Sequence, residues 1–239
     1  MSANVPALIL AAGRGERMRP LTDHTPKPLL MVQGKRLIEW HLEALARDGV
    51  QRVVINTAYL EDQFEPTLGD GSRWGLQIIY SHEGRDHGGA LETAGGMAKA
   101  LPHLGDVFWV LAGDVFVPGF RFDAGDAQAF AESHDWGRLT LVNNPAHVPQ
   151  GDFALNEVGR IERKEASTAP TYTYSTIGLY RPAMVAGVEV GQKAALRPYL
   201  ERAIDAGKLS GCHYDGAWTD VGTPERLLQL NQAAAKDTL

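Results

Sequence analysis

The chain has 239 residues, enough for one large α/β domain or two small ones, and its 44% hydrophobic and 22% charged residues are those of an ordinary globular protein. A net charge of −6 argues against a nucleic-acid polymer as partner, and the single cysteine, Cys212, excludes an internal disulfide and a cysteine-built zinc site. No apolar run reaches the length of a membrane span and no basic segment precedes the first apolar strand, so a soluble cytoplasmic protein without a membrane partner is expected.

In chain order, the apolar run Val5 to Ala12 reads as a buried strand of a parallel sheet. It ends in Gly13-Arg14-Gly15-Glu16-Arg17, where glycines let the backbone approach a ligand and successive N–H groups can form an anion-binding concavity. Arg17 and Arg19 add positive charge, and Lys27 adds more from a stiff segment between Pro26 and Pro28, so the stretch suits a polyphosphate. Two familiar phosphate motifs fit poorly. Met18 stands where the dinucleotide fingerprint needs a third glycine, and Gly34-Lys35 and Gly207-Lys208 are followed by Arg36 and Leu209 rather than by Ser or Thr.

Arg36 to Asp48 reads as a helix with Leu37, Ile38, His41, Leu42 and Leu45 on one face, His41 there as a satisfied half-buried residue, and with Gly49 as its cap. Gln51 to Asn56 is the second strand, Leu60 to Leu68 a short helix, and Leu76 to Ser81 the third strand. Residues 82 to 89 read as a polar glycine-rich loop, and Ala90-Leu-Glu-Thr-Ala-Gly-Gly96 as a second glycine surface for a flat base and ribose, leading into a helix that reaches Leu101. The strand Asp106 to Ala112 ends at Gly113-Asp114. Ligands of open α/β sheets bind beyond such carboxyl ends, and a carboxylate beside a polyphosphate makes sense as a Mg²⁺ ligand.

Beyond it come a helix over 123–134, a strand Leu139 to Asn143, an extended Gly151-Asp152-Phe153, a strand Tyr172 to Tyr180 and a helix Lys193 to Ala206. The polar material from about 145 to 180 suits a small β-rich sugar lobe inserted in one domain spanning 1–239. In Trp218-Thr-Asp-Val-Gly-Thr-Pro-Glu-Arg226, helix capping accounts for Thr223 and Pro224 but not for Asp220. The fold class expected is a Rossmann-like, mostly parallel sheet with helices on both faces.

Leu10-Ala-Ala-Gly-Arg-Gly-Glu-Arg-Met-Arg-Pro-Leu-Thr22, with Pro26-Lys-Pro28, resembles the signature of the sugar-1-phosphate nucleotidyltransferases. The Glu-Arg-Met-Arg variant is most similar to that of the bacterial N-acetylmuramate-1-phosphate uridylyltransferases of that family. Leu91-Glu-Thr93 and Trp218 to Pro224 resemble later family elements, so the similarity covers nearly the whole chain. It implies transfer of a nucleotidyl group from UTP to a sugar-1-phosphate, in cell-wall sugar recycling, by a monomer or small homo-oligomer. It implies Arg17, Lys27 and Asp114 as catalytic residues. Ala11, Ala12, Gly13, Gly15, Glu16, Arg17, Lys27, Asn56, Gly88, Glu92 and Thr93 would bind the nucleotide, Gly151, Asp152 and Thr176 the sugar, and Asp114 with Asp220 a Mg²⁺ ion.

The chain carries Glu92 of the uridylyl type and Ala94 of the guanylyl type, which keeps a mannose-1-phosphate guanylyltransferase or a glucose-type enzyme as an alternative. A catalytically inactive nucleotide-sugar-binding module is the alternative of another class, disfavoured by the joint presence of Arg17, Lys27, Asp114 and Asp220.

Overall fold

The computed structural model describes residues 5–236. β1 (Ala7–Leu10) is the axis of the fold, shorter than the apolar run that contains it. A hairpin follows, β2 (Met31–Val32) and β3 (Lys35–Arg36). Its two-residue turn, Gln33 and Gly34, has φ of 51° and 86°, the positive values that a tight hairpin turn needs. Then come α1 (Leu37–Arg47), β4 (Arg52–Thr57), α2 (Phe64–Leu68), β5 (Gln77–His82), α3 (Glu83–His87), α4 (Glu92–Ala100) and β6 (Phe108–Ala112). After β7 (Val115–Phe116) and α5 (Ala124–Glu132) the chain forms β8 (Gly137–Val142), β9 (Phe153–Leu155), β10 (Ile161–Glu162) and β11 (Thr171–Tyr180). It closes with α6 (Arg197–Asp205), β12 (Leu209–His213), β13 (Thr219–Asp220) and α7 (Pro224–Lys236).

β5, β4, β1 and β6 pair in parallel in that order, and β8 and β12 run the same way farther along the sheet. Between β6 and β8 lies β11, antiparallel to both. Strand alternation sends Ala7, Ile9, Val53, Ile55, Trp109 and Leu111 to one face, where Ile38, Leu42 and Leu45 of α1 cover them. Leu8, Val54, Phe108 and Val110 face the other way, onto Ala94 and Met97 of α4 and Leu200 of α6. The expected doubly covered, mostly parallel sheet is therefore present, and the strand order reverses beside β1, where open α/β sheets bind ligands.

Three expectations change. The stretch 82–89 is not all loop, because its middle winds into α3 and buries Glu83 completely. The helix expected from Lys193 begins only at Arg197. Ahead of it, the Ala194 amide donates to the Leu91 carbonyl at 2.9 Å, and the Ala194 carbonyl accepts from the Ala94 and Gly95 amides at 2.9 and 3.1 Å. Residues 192–194 thus cap the start of α4 instead of extending α6. In the stretch read as a sugar lobe, β9 and β10 continue the main sheet from the first half of β11, whereas Ile177–Tyr180 of β11 lie in the central sheet against β6. Among the described residues no helix is long and apolar enough to cross a membrane.

Candidate active site

A cavity of about 870 Å³ opens over the carboxyl ends of β1 and β6. Of the residues singled out from sequence it brings together Ala11, Ala12, Gly13, Gly15, Glu16, Arg17, Lys27, Asn56, Glu92, Thr93, Asp114, Asp152 and Thr176. Gly88, Gly151 and Asp220 are not on its walls. Gly88 lines a neighbouring cavity of about 1010 Å³ that meets the first at Ala12 and Ala90.

Part of the cavity wall is built by the first loop. Gly15 has φ of 66°, and its carbonyl accepts from the Met18 amide at 2.9 Å and the Thr22 hydroxyl at 2.9 Å, which closes the turn over Glu16–Met18. Met18 anchors this turn in a satellite core with Val32, Leu37, Phe116, Val221 and Leu227. Arg17, one residue earlier, is left exposed on the cavity wall.

The Lys27 side chain is 8% exposed, and its Nζ lies 2.7 Å from Oδ2 of Asp114, whose side chain is 41% exposed. A buried ion pair is weak evidence of a stabilising role. This one places an ammonium under a carboxylate that reaches the open cavity, a suitable arrangement for a charged ligand.

The two aspartates proposed to hold a metal do not share a rim of the main sheet, as their strand-end positions suggested. Asp114 sits in the turn between β6 and β7, and Asp220 ends β13, which pairs with β7 as a separate two-stranded ribbon, Asp220 opposite Val115. The Val221 amide donates to the Asp114 carbonyl at 2.9 Å, so the ribbon register sets the two residues side by side.

Asp220 contacts Arg226 through Oδ2 and His147 Nε2 at 3.1 Å through Oδ1. A Cβ at Gly222 would lie 2.9 Å from Asp220 Oδ2 and 3.6 Å from Arg17 Nη2, which puts the arginine and the carboxylate near the same face of that glycine.

Among the described residues no group of three or more His, Cys, Asp or Glu could hold a metal. Asp114 and Asp220 are neighbours through their backbones, and each carboxylate contacts a cationic side chain, Lys27 or Arg226; carboxylates with water and phosphate oxygens are the donor chemistry that suits Mg²⁺.

Asn56 reaches the cavity wall, yet both ends of its amide are engaged in the protein: Oδ1 accepts from the Ala11 amide at 2.7 Å, and Nδ2 donates to Glu83 Oε1 at 2.7 Å. The glycines of the second element are also used internally. A Cβ at Gly95 would lie 2.3 Å from the Gln192 carbonyl oxygen, and one at Gly96 would lie 2.6 Å from Asn56 Nδ2. They give no open surface to a base. Glu92, with φ of 60°, does line the cavity, its carboxylate 3.6 Å from Lys193 Nζ.

Elsewhere on the wall, Asp152 Oδ2 accepts from the Tyr174 amide at 2.9 Å. Gly151 is a turn residue with φ of 62°, where a Cβ would lie 2.7 Å from the Tyr172 carbonyl oxygen. Thr176, with φ of 67°, sits in a register break of β11. The Ser175 carbonyl beside it accepts from Trp218 Nε1 at 3.1 Å, so the tryptophan that opens the last motif braces this bulge. Glu92 and Thr176 are non-glycine residues held in the left-handed region, and such strain gathers at ligand sites.

Sequence reasoning missed Arg197. It begins α6 on the cavity wall, 4.6 Å from the Phe153 ring centroid, with Nε 2.8 Å from Glu201 Oε1. With the helix read from Lys193, nothing local marked Arg197 as the residue that opens it.

Residues 6–237 match the family model described as nucleotidyl transferase. The chain is 47% identical to an N-acetylmuramate alpha-1-phosphate uridylyltransferase of Neisseria meningitidis serogroup B, over 95% of this chain and 97% of that protein. It is 33% identical to a protein of the same description from Caulobacter vibrioides, over 96% of this chain and 97% of that one. The inositol-1-phosphate CTP transferase from T. maritima superposes with a TM-score of 0.73 at 20% identity, covering 98% of this chain and 97% of that one, a likeness of fold.

Proposed function

The chain belongs to the nucleotidyl transferase family, and from that premise we propose that it is a cytoplasmic uridylyltransferase making a UDP-sugar and pyrophosphate from UTP and a sugar-1-phosphate, with N-acetylmuramic acid 1-phosphate as acceptor. The observation that carries the reading is the convergence of Gly13, Gly15, Arg17, Lys27 and Asp114 on one cavity, whose wall also carries Asp152, Thr176 and Arg197.

In this reading an acceptor phosphate oxygen attacks the α-phosphorus in line and pyrophosphate leaves. Positioning and charge stabilisation supply most of the catalysis. Backbone N–H groups of the Gly13–Gly15 turn face the phosphates, Arg17 meets the leaving pyrophosphate, and Lys27 meets the α-phosphate or the acceptor phosphate. Asp114 and Asp220 would hold Mg²⁺, which supplies charge neutralisation on phosphate oxygens. Asp152 and Thr176 would bond sugar hydroxyls. Muramate carries a carboxylate, and Arg197, over the Phe153 ring next to Asp152 with its Nε bonded to Glu201, offers a planar fork that suits one. That favours the muramate acceptor over neutral mannose- or glucose-type sugars. The working unit is a monomer or a small homo-oligomer.

A matrix of four nucleoside triphosphates against several sugar-1-phosphates, read by pyrophosphate release, tests the reading. UTP with N-acetylmuramic acid 1-phosphate should turn over fastest, and Arg197→Ala should raise the KM for that acceptor more than for glucose-1-phosphate. Faster turnover with GTP and any sugar phosphate would sink the uridylyl assignment, and no pyrophosphate from any pair would restore the binding-module alternative.

A further inference from the structure

One buried carboxylate has no part in that reaction scheme. Glu83 opens α3 directly after β5, and none of it reaches solvent. Its Oε1 accepts from Asn56 Nδ2 at 2.7 Å, and its Oε2 accepts from the Leu91 amide at 2.7 Å. Asn56 Oδ1 in turn accepts from the Ala11 amide at 2.7 Å. An unbroken run of hydrogen bonds therefore ties the end of β1, through β4 and α3, to the residue that precedes α4.

Isolating a carboxylate from water is costly unless each oxygen finds donors. Burial raises the Glu83 carboxyl's pKa, and the Leu91 and Asn56 donors oppose that rise.

The surroundings are shaped to admit it. α4 comes close only because residue 96 is glycine, where a Cβ would lie 2.7 Å from Glu83 Oε1, although glycine weakens a helix interior. The residue after the pinned Leu91 amide is Glu92, held in the left-handed region on the cavity wall. A strained conformation of this kind persists where its surroundings over-determine it, and the Leu91–Glu83 bond is part of that constraint.

We propose that Glu83 is a positioning residue for the nucleoside triphosphate. Through Asn56 and Leu91 it fixes the spacing between the Ala11–Gly13 wall and the Glu92–Thr93 wall of the cavity, and so the width of the slot that takes the nucleoside. The inference rests on the nucleotidyl-transfer reading.

Glu83→Gln breaks the run, because whichever way the new amide turns, its NH₂ group opposes either Asn56 Nδ2 or the Leu91 amide. The double variant Asn56→Asp/Glu83→Gln repairs it: the new carboxylate accepts from Ala11 and from the new amide, whose carbonyl accepts from Leu91. UTP binding without acceptor is measured by calorimetry, and steady-state constants by pyrophosphate release.

Glu83→Gln should weaken UTP binding and raise the UTP KM about tenfold, the order expected for one buried hydrogen bond left unmade. It should change kcat and the acceptor KM much less and narrow the preference for UTP over other nucleoside triphosphates. The double variant should recover most of the loss. Gly96→Ala, which presses on Asn56 and Glu83 from α4, should show the same split if Glu83→Gln does not fold.

A UTP KM at the wild-type value in Glu83→Gln or Gly96→Ala overturns the proposal. So does a double variant no better than the single one, or a loss in which kcat, both KM values and the melting temperature fall together. A wild-type chain that neither binds UTP nor releases pyrophosphate is a different result and refutes the underlying reading.

Discussion

A methyl group added at Gly13 would have nothing within 4 Å, whereas one at Gly95 would lie 2.3 Å from the Gln192 carbonyl oxygen and one at Gly96 would lie 2.6 Å from Asn56 Nδ2. Both stretches are glycine-rich and both adjoin the same cavity. In the first, Gly13 leaves open space on the cavity wall, while Gly15 packs against Thr22 and Lys27. In the second, the protein fills the space itself, with residues 192–194 on one side and the Asn56–Glu83 pair on the other. A glycine in a loop motif is thus a statement about close approach, and only the tertiary partners decide whether a ligand or the chain makes it.

The contrast can be broken most severely at the open end. Asp114→Asn and Asp220→Asn should each keep the fold and lower kcat on the order of 10²–10³-fold, by analogy with loss of preorganised electrostatic groups. The two losses should be strongly non-additive if one ion depends on both carboxylates. Pyrophosphate release at limiting Mg²⁺ checks this, and near-normal turnover in either single variant ends the shared-metal reading.

Lys27→Ala should cost about 10²-fold in kcat, and Arg17→Lys should remain impaired because the planar fork is lost. An effect confined to KM would reduce either residue to a ground-state anchor.

The floor beneath that end responds to acid. His41 on α1 is buried beside Val115, its Nε2 without a partner, and burial lowers its pKa to about 4. Because the folded value lies below the unfolded one, His41 contributes stability above about pH 6.5 that is lost as pH falls toward 4, about 3 kcal/mol in all. Denaturant titrations across that window should show a shallower loss in His41→Asn, and equal slopes would overturn the assignment.

The comparison is sharpened at the glycines themselves. Gly95→Ala should destabilise by about 1–3 kcal/mol through overpacking, seen as a lower melting temperature. Gly13→Ala should change stability by less than about 0.5 kcal/mol while raising the nucleotide KM. Equal melting temperatures for the two variants would erase the distinction.

The parts of the fold that local pattern controls were legible. Short continuous apolar runs announced β1, β4 and β6, the spacing of Ile38, Leu42 and Leu45 announced α1, and the first loop with Lys27 announced a cavity that the fold does build. Long-range partners account for the rest. Nothing in His82-Glu-Gly-Arg-Asp-His-Gly-Gly89 signals that Glu83 will be buried, because its donors come from Asn56 and Leu91. The late start of α6 depends on backbone bonds to Leu91, Ala94 and Gly95, which no helical periodicity reveals. The nearness of Asp114 and Asp220 came from a ribbon too short to read as strands.

β11 carries a consequence for motion. Its Ile177–Tyr180 half is bonded to β6 and β8 in the central sheet, and its Thr171–Tyr172 end is bonded to β9, next to Asp152. One continuous strand therefore joins the central sheet to β9 and β10. Its ladder is interrupted at Thr176, between those two parts, and a bulged strand bends where its pairing is lost. Any relative movement of the two parts would turn on that bulge, which lies on the cavity wall.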